Sequence, residues 1–245
     1  MGGSRTVRHP ALNDRQAALM NKSTDYHDYV FKDGKLVGEF DEMYRNSATV
    51  PWHQDEQANW IDVRLTKEML RDVCGELDEI HDFGCGTGHY LNLIADEFLA
   101  PSGRSYGYDI SETACANAAK IFPNSHFSVL DLTQQTTNNH SVASSGEQRP
   151  ARLFMIRGTL WLVYPKLATV IDNLRRMTGA GDRLLVVQNF PPLNSEFVGK
   201  DVIPHHFALV DHFSSCFTLD RHIWYEDKFA TSNDNWFIGV FSIKD

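Results

Sequence analysis

The sequence predicts an open α/β sheet, mostly parallel, covered by helices on both faces and finished by an antiparallel hairpin. Three observations carry this. Short apolar runs alternate with helix-period segments between residues 79 and 190, the pattern of parallel strands joined by crossover helices. At residues 80–90 an apolar run breaks on three closely spaced glycines and resumes with helical periodicity. The last two apolar runs have no helix-sized stretch between them, so they pair as an antiparallel hairpin.

Residues 1–24 carry Arg5, Arg8, Arg15 and Lys22 against Asp14 alone, a net charge of +3. Met1-Gly2 with Thr6 fits the loose N-myristoylation pattern, but a short Gly/Ser start reads first as a flexible arm. Residues 25–75 form an N-terminal cap. Within it Trp60, Ile61, Leu65, Met69, Leu70 and Val73 recur at three- and four-residue spacings, predicting one amphipathic helix over residues 55–74. The core occupies residues 76–245, with strands at 79–83, 105–110, 126–132, 152–156 and 183–190. Helices at 90–99, 112–122 and 166–177 alternate with them. Residues 133–150 hold one valine and one alanine, too little apolar surface to fold unaided, so they read as a solvated loop. Three prolines and a glycine over residues 191–204 interrupt the pattern. A helix at 205–214 and strands at 217–225 and 236–243 close the chain.

Length and composition bound the function. The 245 residues suit one substantial domain, and 42% hydrophobic with 22% charged residues is ordinary for a folded globular chain. No uncharged apolar stretch approaches the roughly 18 residues of a membrane span. The net charge of −9 argues against phosphate-backbone binding, which draws its affinity from clustered Lys and Arg. Cys74, Cys85, Cys115 and Cys216 form no C-x-x-C pair, so neither a zinc knuckle nor a redox motif is expected. With no apolar signal core, the reading is cytoplasmic.

The chemistry concentrates at Asp82-Phe83-Gly84-Cys85-Gly86-Thr87-Gly88. A sharp turn and close backbone approach by a ligand both call for glycine there. The dinucleotide spacing counted from Gly84 needs glycine at 89, where His89 stands, so a nicotinamide dehydrogenase is disfavoured. The D-x-G-x-G-x-G spacing is instead the one seen with S-adenosylmethionine. Asp109 closes the second strand, where a carboxylate can accept both ribose hydroxyl protons. Asp131 closes the third, placed to accept from an adenine amino group, with Leu132 offering a backbone N–H. Either aspartate alone reads first as a turn or helix cap. Three carboxylates at successive carboxyl ends of parallel strands favour a ligand, because open α/β sheets bind ligands at those ends.

On these residues the chain resembles class I S-adenosylmethionine-dependent methyltransferases over roughly residues 52–245. The resemblance implies a Rossmann-like seven-stranded sheet ordered 3-2-1-4-5-7-6, strand 7 antiparallel, with an N-terminal helical cap. It implies S-adenosyl-L-methionine as cofactor, S-adenosyl-L-homocysteine as product, and a cofactor site of Asp82, Gly84, Cys85, Gly86 and Gly88 with Asp109, Ile110, Asp131 and Leu132. Arg64, 18 residues before Asp82, takes the place of the arginine that faces the cofactor carboxylate. Arg157 and Gly158, after the fourth strand, border the sulfonium and the acceptor. Glu42-Met43-Tyr44-Arg45 followed by Pro51-Trp52-His53-Gln54 is similar to the aromatic N-terminal segment of nodulation N-methyltransferases and related sugar or natural-product enzymes. Arg157-Gly158 replaces the acidic residue or Asn common after that strand in amine and nucleic-acid methyltransferases.

The expected activity is methyl transfer to a hydroxyl or amine of a small molecule, by a monomer or homodimer that uses neither nucleic acid nor membrane. A hydroxyl acceptor needs a base; His53 is the first candidate, with His205 and His206 next. Trp52, Trp161 and Tyr164 are expected to line the acceptor pocket, under a lid formed by residues 191–204. His205, His206 and His212 have no accompanying carboxylate cluster, so no metal is expected. Two alternatives stand beside this reading: a cofactor-binding partner without turnover, and a protein or nucleic-acid methyltransferase.

Overall fold

The computed structural model describes residues 22–135, 150–226 and 235–244. A 3-10 turn at Tyr26–Tyr29 leads into a minimal antiparallel hairpin, β1 (Phe31–Lys32) with β2 (Lys35–Leu36). Helix α1 (Phe40–Asn46), a kinked 3-10 segment at Pro51–Asn59 and helix α2 (Ile61–Val73) complete the N-terminal region. The core then runs β3 (Leu77–Phe83), α3 (His89–Phe98), β4 (Leu99–Asp109), α4 (Glu112–Ile121), β5 (His126–Val129) and β6 (Arg152–Arg157). It continues through α5 (Leu160–Val163), α6 (Leu167–Met177), β7 (Arg183–Phe190), α7 (His206–Phe213), β8 (Phe217–Glu226) and β9 (Asn235–Ile243).

Strands β3 to β9 form one seven-stranded sheet in the order β5-β4-β3-β6-β7-β9-β8. Pairings among β3, β4, β5, β6 and β7 are parallel, while β9 runs antiparallel to both β7 and β8. Counted from β3 as strand 1, this is the expected 3-2-1-4-5-7-6 order with strand 7 reversed.

The central strands read as continuous apolar runs because both of their faces are covered. Period-2 alternation divides β6 cleanly. Leu153 and Met155 join Leu185, Val187, Ile238 and Val240 under α2 and α3. Phe154 and Ile156 join Leu184, Val186, Phe237 and Phe241 under α6 and α7. A smaller cluster of Tyr29, Val30 and Met43 holds the N-terminal region together.

Four boundaries depart from the sequence reading. The helix expected over residues 55–74 begins at Ile61, after Trp60 in extended conformation (φ −69°, ψ 147°); residues 54–59 offer no apolar face, so periodicity starts only at Trp60. The second strand begins at Leu99, beyond an irregular register against β3. The third ends at Val129, leaving Asp131 and Leu132 in the turn beyond it. The helix expected at 205–214 spans His206–Phe213, with His205 as its N-cap. Residues 1–21 of the expected arm and 136–149 of the expected loop lie outside the described residues.

Candidate functional site

The carboxyl end of β3 meets the start of α3 through the glycine loop. Gly84, Gly86 and Gly88 have φ of +75°, +54° and +80°, in the left-handed region where a Cβ is penalised. Gly84 and Cys85 both donate backbone N–H to the Tyr108 carbonyl, at 2.7 and 3.0 Å, which ties the loop to β4. A Cβ on Gly84 would strike the Thr159 side chain, and one on Gly86 the Gln54 amide and Tyr44 hydroxyl.

Two carboxylates bracket this loop. Asp82 is 2% exposed, and burial pushes its carboxyl up to about 7, against the lowering pull of Arg157. Asp109, at the end of β4, accepts the Gly86 N–H on Oδ2 and the Ser111 N–H on Oδ1, each at 2.9 Å. Burial raises its pKa in spite of those N–H groups. The ionised carboxylate retains acceptor capacity for a ligand.

The N-terminal region reaches over the loop. Asp41 on α1 accepts from Ser111 Oγ at 3.0 Å and Thr113 N–H at 2.8 Å, docking α1 on the start of α4. That places Tyr44 and Gln54 above Gly86. Gln54 Oε1 accepts from Thr87 N–H at 2.8 Å and Thr87 Oγ1 at 2.7 Å, and its Nε2 donates to Tyr44 Oη at 3.2 Å. Trp52 and His53, just before, hold φ of +52° and +48°, a costly conformation for residues with a Cβ. Beneath Gln54 lies a cavity of about 30 Å³ lined by Gln54, Gln57, Asp82, Gly84, Cys85, Tyr90 and Arg157.

Arg157, the last residue of β6, is held by Asp62 of α2: Nε and Nη2 both donate to Asp62 Oδ2, at 2.9 and 2.6 Å. Its guanidinium carbon lies 5.5 Å from the Trp60 ring, 4.9 Å from Tyr90 and 5.3 Å from Trp236, the geometry of cation–π contact.

The remaining expected residues divide. Gly158 adjoins Arg157 with φ +67°, and Ile110 is exposed beside Asp109. Arg64 is exposed on α2 and is not among the residues lining the cavity. Asp131 Oδ1 accepts from Thr133 N–H and Oγ1, at 2.8 and 2.7 Å, a turn cap; the Leu132 carbonyl accepts from Asn173. Trp52 packs between Tyr26 and Tyr44. His53 is exposed, 3.8 Å from Glu56. His205 Nδ1 accepts the Ala208 N–H as helix cap. His206 is buried and stacks on Trp224 at 4.1 Å, its Nδ1 without a hydrogen-bond partner. Trp161 donates Nε1–H to the Asn189 carbonyl and packs edge-on against Phe190 and Phe197, while Tyr164 packs on Gly199.

Residues absent from the expected set, namely Tyr44, Gln54, Gln57, Asp62 and Tyr90, surround the loop. Gln57 and Asp62 lie in the stretch read as one amphipathic helix over residues 55–74, at polar positions that gave no sign of a site. The available signal was the interruption at Asn59-Trp60, which turns those positions inward.

No family model and no curated protein sequence matches the chain. Solved structures do. The N-methyltransferase NodS from Bradyrhizobium japonicum WM9, in complex with S-adenosyl-L-homocysteine, superposes with a TM-score of 0.59 at 15% identity, covering 81% of this chain and 94% of that one. A structure described with the conversion of a disulfide bond into a thioacetal group during echinomycin biosynthesis gives 0.58 at 17% identity, covering 84% and 91%. The [4+2]-cyclase SpnF gives 0.52 at 14%, covering 74% and 80%. The chain has the Rossmann-like fold of class I S-adenosylmethionine-dependent methyltransferases.

Proposed function

We propose that the protein transfers a methyl group from S-adenosylmethionine to a hydroxyl or amine of a small acceptor, sugar-like or a natural-product intermediate. The observation that carries this reading is the pairing of buried Asp82 and Asp109 around three left-handed glycines, at the carboxyl ends of adjacent parallel strands. The donor set suits the cofactor. Asp109 has lone pairs for ribose hydroxyls, and the bare Cα of Gly86 faces the space now taken by the Gln54 and Tyr44 side-chain tips, which rotamer changes can clear. When bound, the cofactor supplies a methyl group on a sulfonium.

The chain's part is alignment and exclusion of water. Trp161, Tyr164 and the 191–204 segment form the acceptor side, with Phe197 and Gly199 packed on those two rings. For a hydroxyl acceptor, His206 is the best-supported base of the three expected histidines. Burial first, then His222 and His205, lowers its pKa, keeping the imidazole neutral and able to take a proton. His53 faces solvent and His205 spends Nδ1 on a cap.

A second reading, a cofactor-dependent enzyme without methyl transfer, draws on the likeness to the [4+2]-cyclase. Calorimetry with S-adenosylmethionine and S-adenosylhomocysteine, followed by an acceptor screen for S-adenosylhomocysteine release, separates the two. Binding with release supports methyl transfer; binding with no release across hydroxyl and amine acceptors favours the second; no binding overturns both.

A further inference from the structure

We infer that Trp224 is a positioning residue for His206: its indole, stacked on the imidazole, fixes that ring and shares the positive charge it takes on when it draws a proton from a hydroxyl acceptor. The inference rests on the methyl-transfer reading above and supplies the base with its orienting group.

The fold builds this pair from two elements. Period-2 alternation puts His222 and Trp224 on one face of β8, and Trp224 lies directly opposite Phe237 of β9. His206, the first residue of α7, packs on that face with its ring centroid 4.1 Å from that of Trp224 and 21° between the planes. The rings of Phe207 at 4.2 Å and Phe237 at 6.0 Å complete an aromatic surround. Gly239 stands opposite His222; a Cβ there would meet the Phe237 ring at 2.5 Å, so the glycine leaves that ring its place beside both histidines.

A general base needs a fixed ring, and the usual means is a hydrogen bond from its second nitrogen to a carboxylate or carbonyl. His206 lacks that bond: it is 9% exposed, and its Nδ1 has no partner. The orienting role therefore falls to the rings. Burial first, then His222 of β8 and His205 at the helix cap, opposes a positive charge on the imidazole. The facing indole works the other way, since a π face attracts a cation within about 6 Å of its centroid, most strongly where water is excluded. Trp224 is itself held. Buried Phe190 meets it edge-on at 5.6 Å, and Trp161 meets Phe190 at 5.3 Å, so a run of rings joins His206 to the acceptor side. In the step served, the acceptor's O–H proton passes to the imidazole, the oxygen pair forms the new C–O bond, and the C–S pair stays on sulfur.

The test titrates the full chain, isotope-labelled at histidine, by NMR, with the His206 signal assigned by its loss in His206→Asn. Trp224→Leu keeps an apolar side chain over the imidazole but removes the π face, and the His206 midpoint should fall by about 0.5–1 pH unit. Trp224→Phe, which retains a ring, should stay within about 0.3 pH unit of the native midpoint. With a hydroxyl acceptor, the acidic limb of kcat against pH should move down with the midpoint in Trp224→Leu, while S-adenosylhomocysteine affinity is unchanged. A midpoint that stays or rises in Trp224→Leu, or a limb that does not follow it, overturns the inference. The native protein offers a readout that needs no folded variant: the Trp224 indole signals should titrate with the His206 midpoint, and signals that ignore it overturn the inference as well. If no hydroxyl acceptor yields S-adenosylhomocysteine, the methyl-transfer reading falls and the catalytic role of the pair with it. If release occurs and the midpoint ignores the substitution, only the inference falls.

Discussion

Asp82 sits at the end of the innermost parallel strand with its carboxyl raised to about 7 from the ordinary 3.8. Between those values the folded protein holds a proton that the unfolded chain releases, so stability declines as pH rises through this window. Asp82→Asn should flatten that decline, measured as melting temperature against pH from 4 to 8. Asp109→Ala removes an acceptor that already serves Gly86 and Ser111. At about 1.5–3 kcal/mol per hydrogen bond to a charged group, S-adenosylhomocysteine affinity should fall at least tenfold by calorimetry. The placement of both aspartates at the carboxyl ends of strands was legible in the sequence, because strand ends and glycine spacing are local signals. Asp131 was placed at a strand end, whereas β5 stops at Val129 and the carboxylate closes a turn on Thr133, the capping role the sequence also allowed. Gln57 and Tyr90 were illegible for a different reason, since an amide and a phenol acquire meaning only from what long-range packing puts around them.

Beside the apolar packing of α2 under the sheet, the N-terminal elements are fastened to the core by polar contacts, each with a definite chemistry. Asp62 of α2 and Arg157 of β6 form a pair whose side chains are only 3% and 10% exposed. Removing one partner of a buried pair strands the other charge, at about 3–5 kcal/mol. Asp62→Ala should lose stability on that scale in urea unfolding, and the double variant Asp62→Ala/Arg157→Met should recover part of it. Gln54 is a lighter fastening: two bonds to Thr87, each worth about 1 kcal/mol net. Gln54→Ala should therefore lower apo stability by about 1–2 kcal/mol while easing access above Gly86, read as a faster cofactor association rate in stopped flow. The sequence predicted α2 but extended it through residues 55–60. Periodicity identifies a helix well and its first turn poorly when the preceding residues are merely polar.

Sheet order was the most legible property of the whole molecule. Alternating strand and helix patterns, together with an uninterrupted final pair of apolar runs, predicted a parallel sheet ending in an antiparallel pair, and the order found is the one that the family resemblance implied. Ligand linkage gives a global check: at 100 times the dissociation constant, S-adenosylhomocysteine should stabilise the protein by about 2.7 kcal/mol, seen as a raised melting temperature that NADH does not reproduce. The position of β9 has a consequence for biosynthesis. This strand follows both of its neighbours in the chain yet lies between them, so β7 and β8 cannot close on one another before residues 235–243 have emerged from the ribosome. Until then each carries an open edge, and β7 exposes the apolar run Leu184–Val187 beside it, the condition that invites aggregation during slow, long-range assembly. Pulse-chase yield should accordingly depend on chaperone supply until residues 235–243 have left the ribosome, and a stalled nascent chain lacking β9 should be degraded or captured while one that includes it folds.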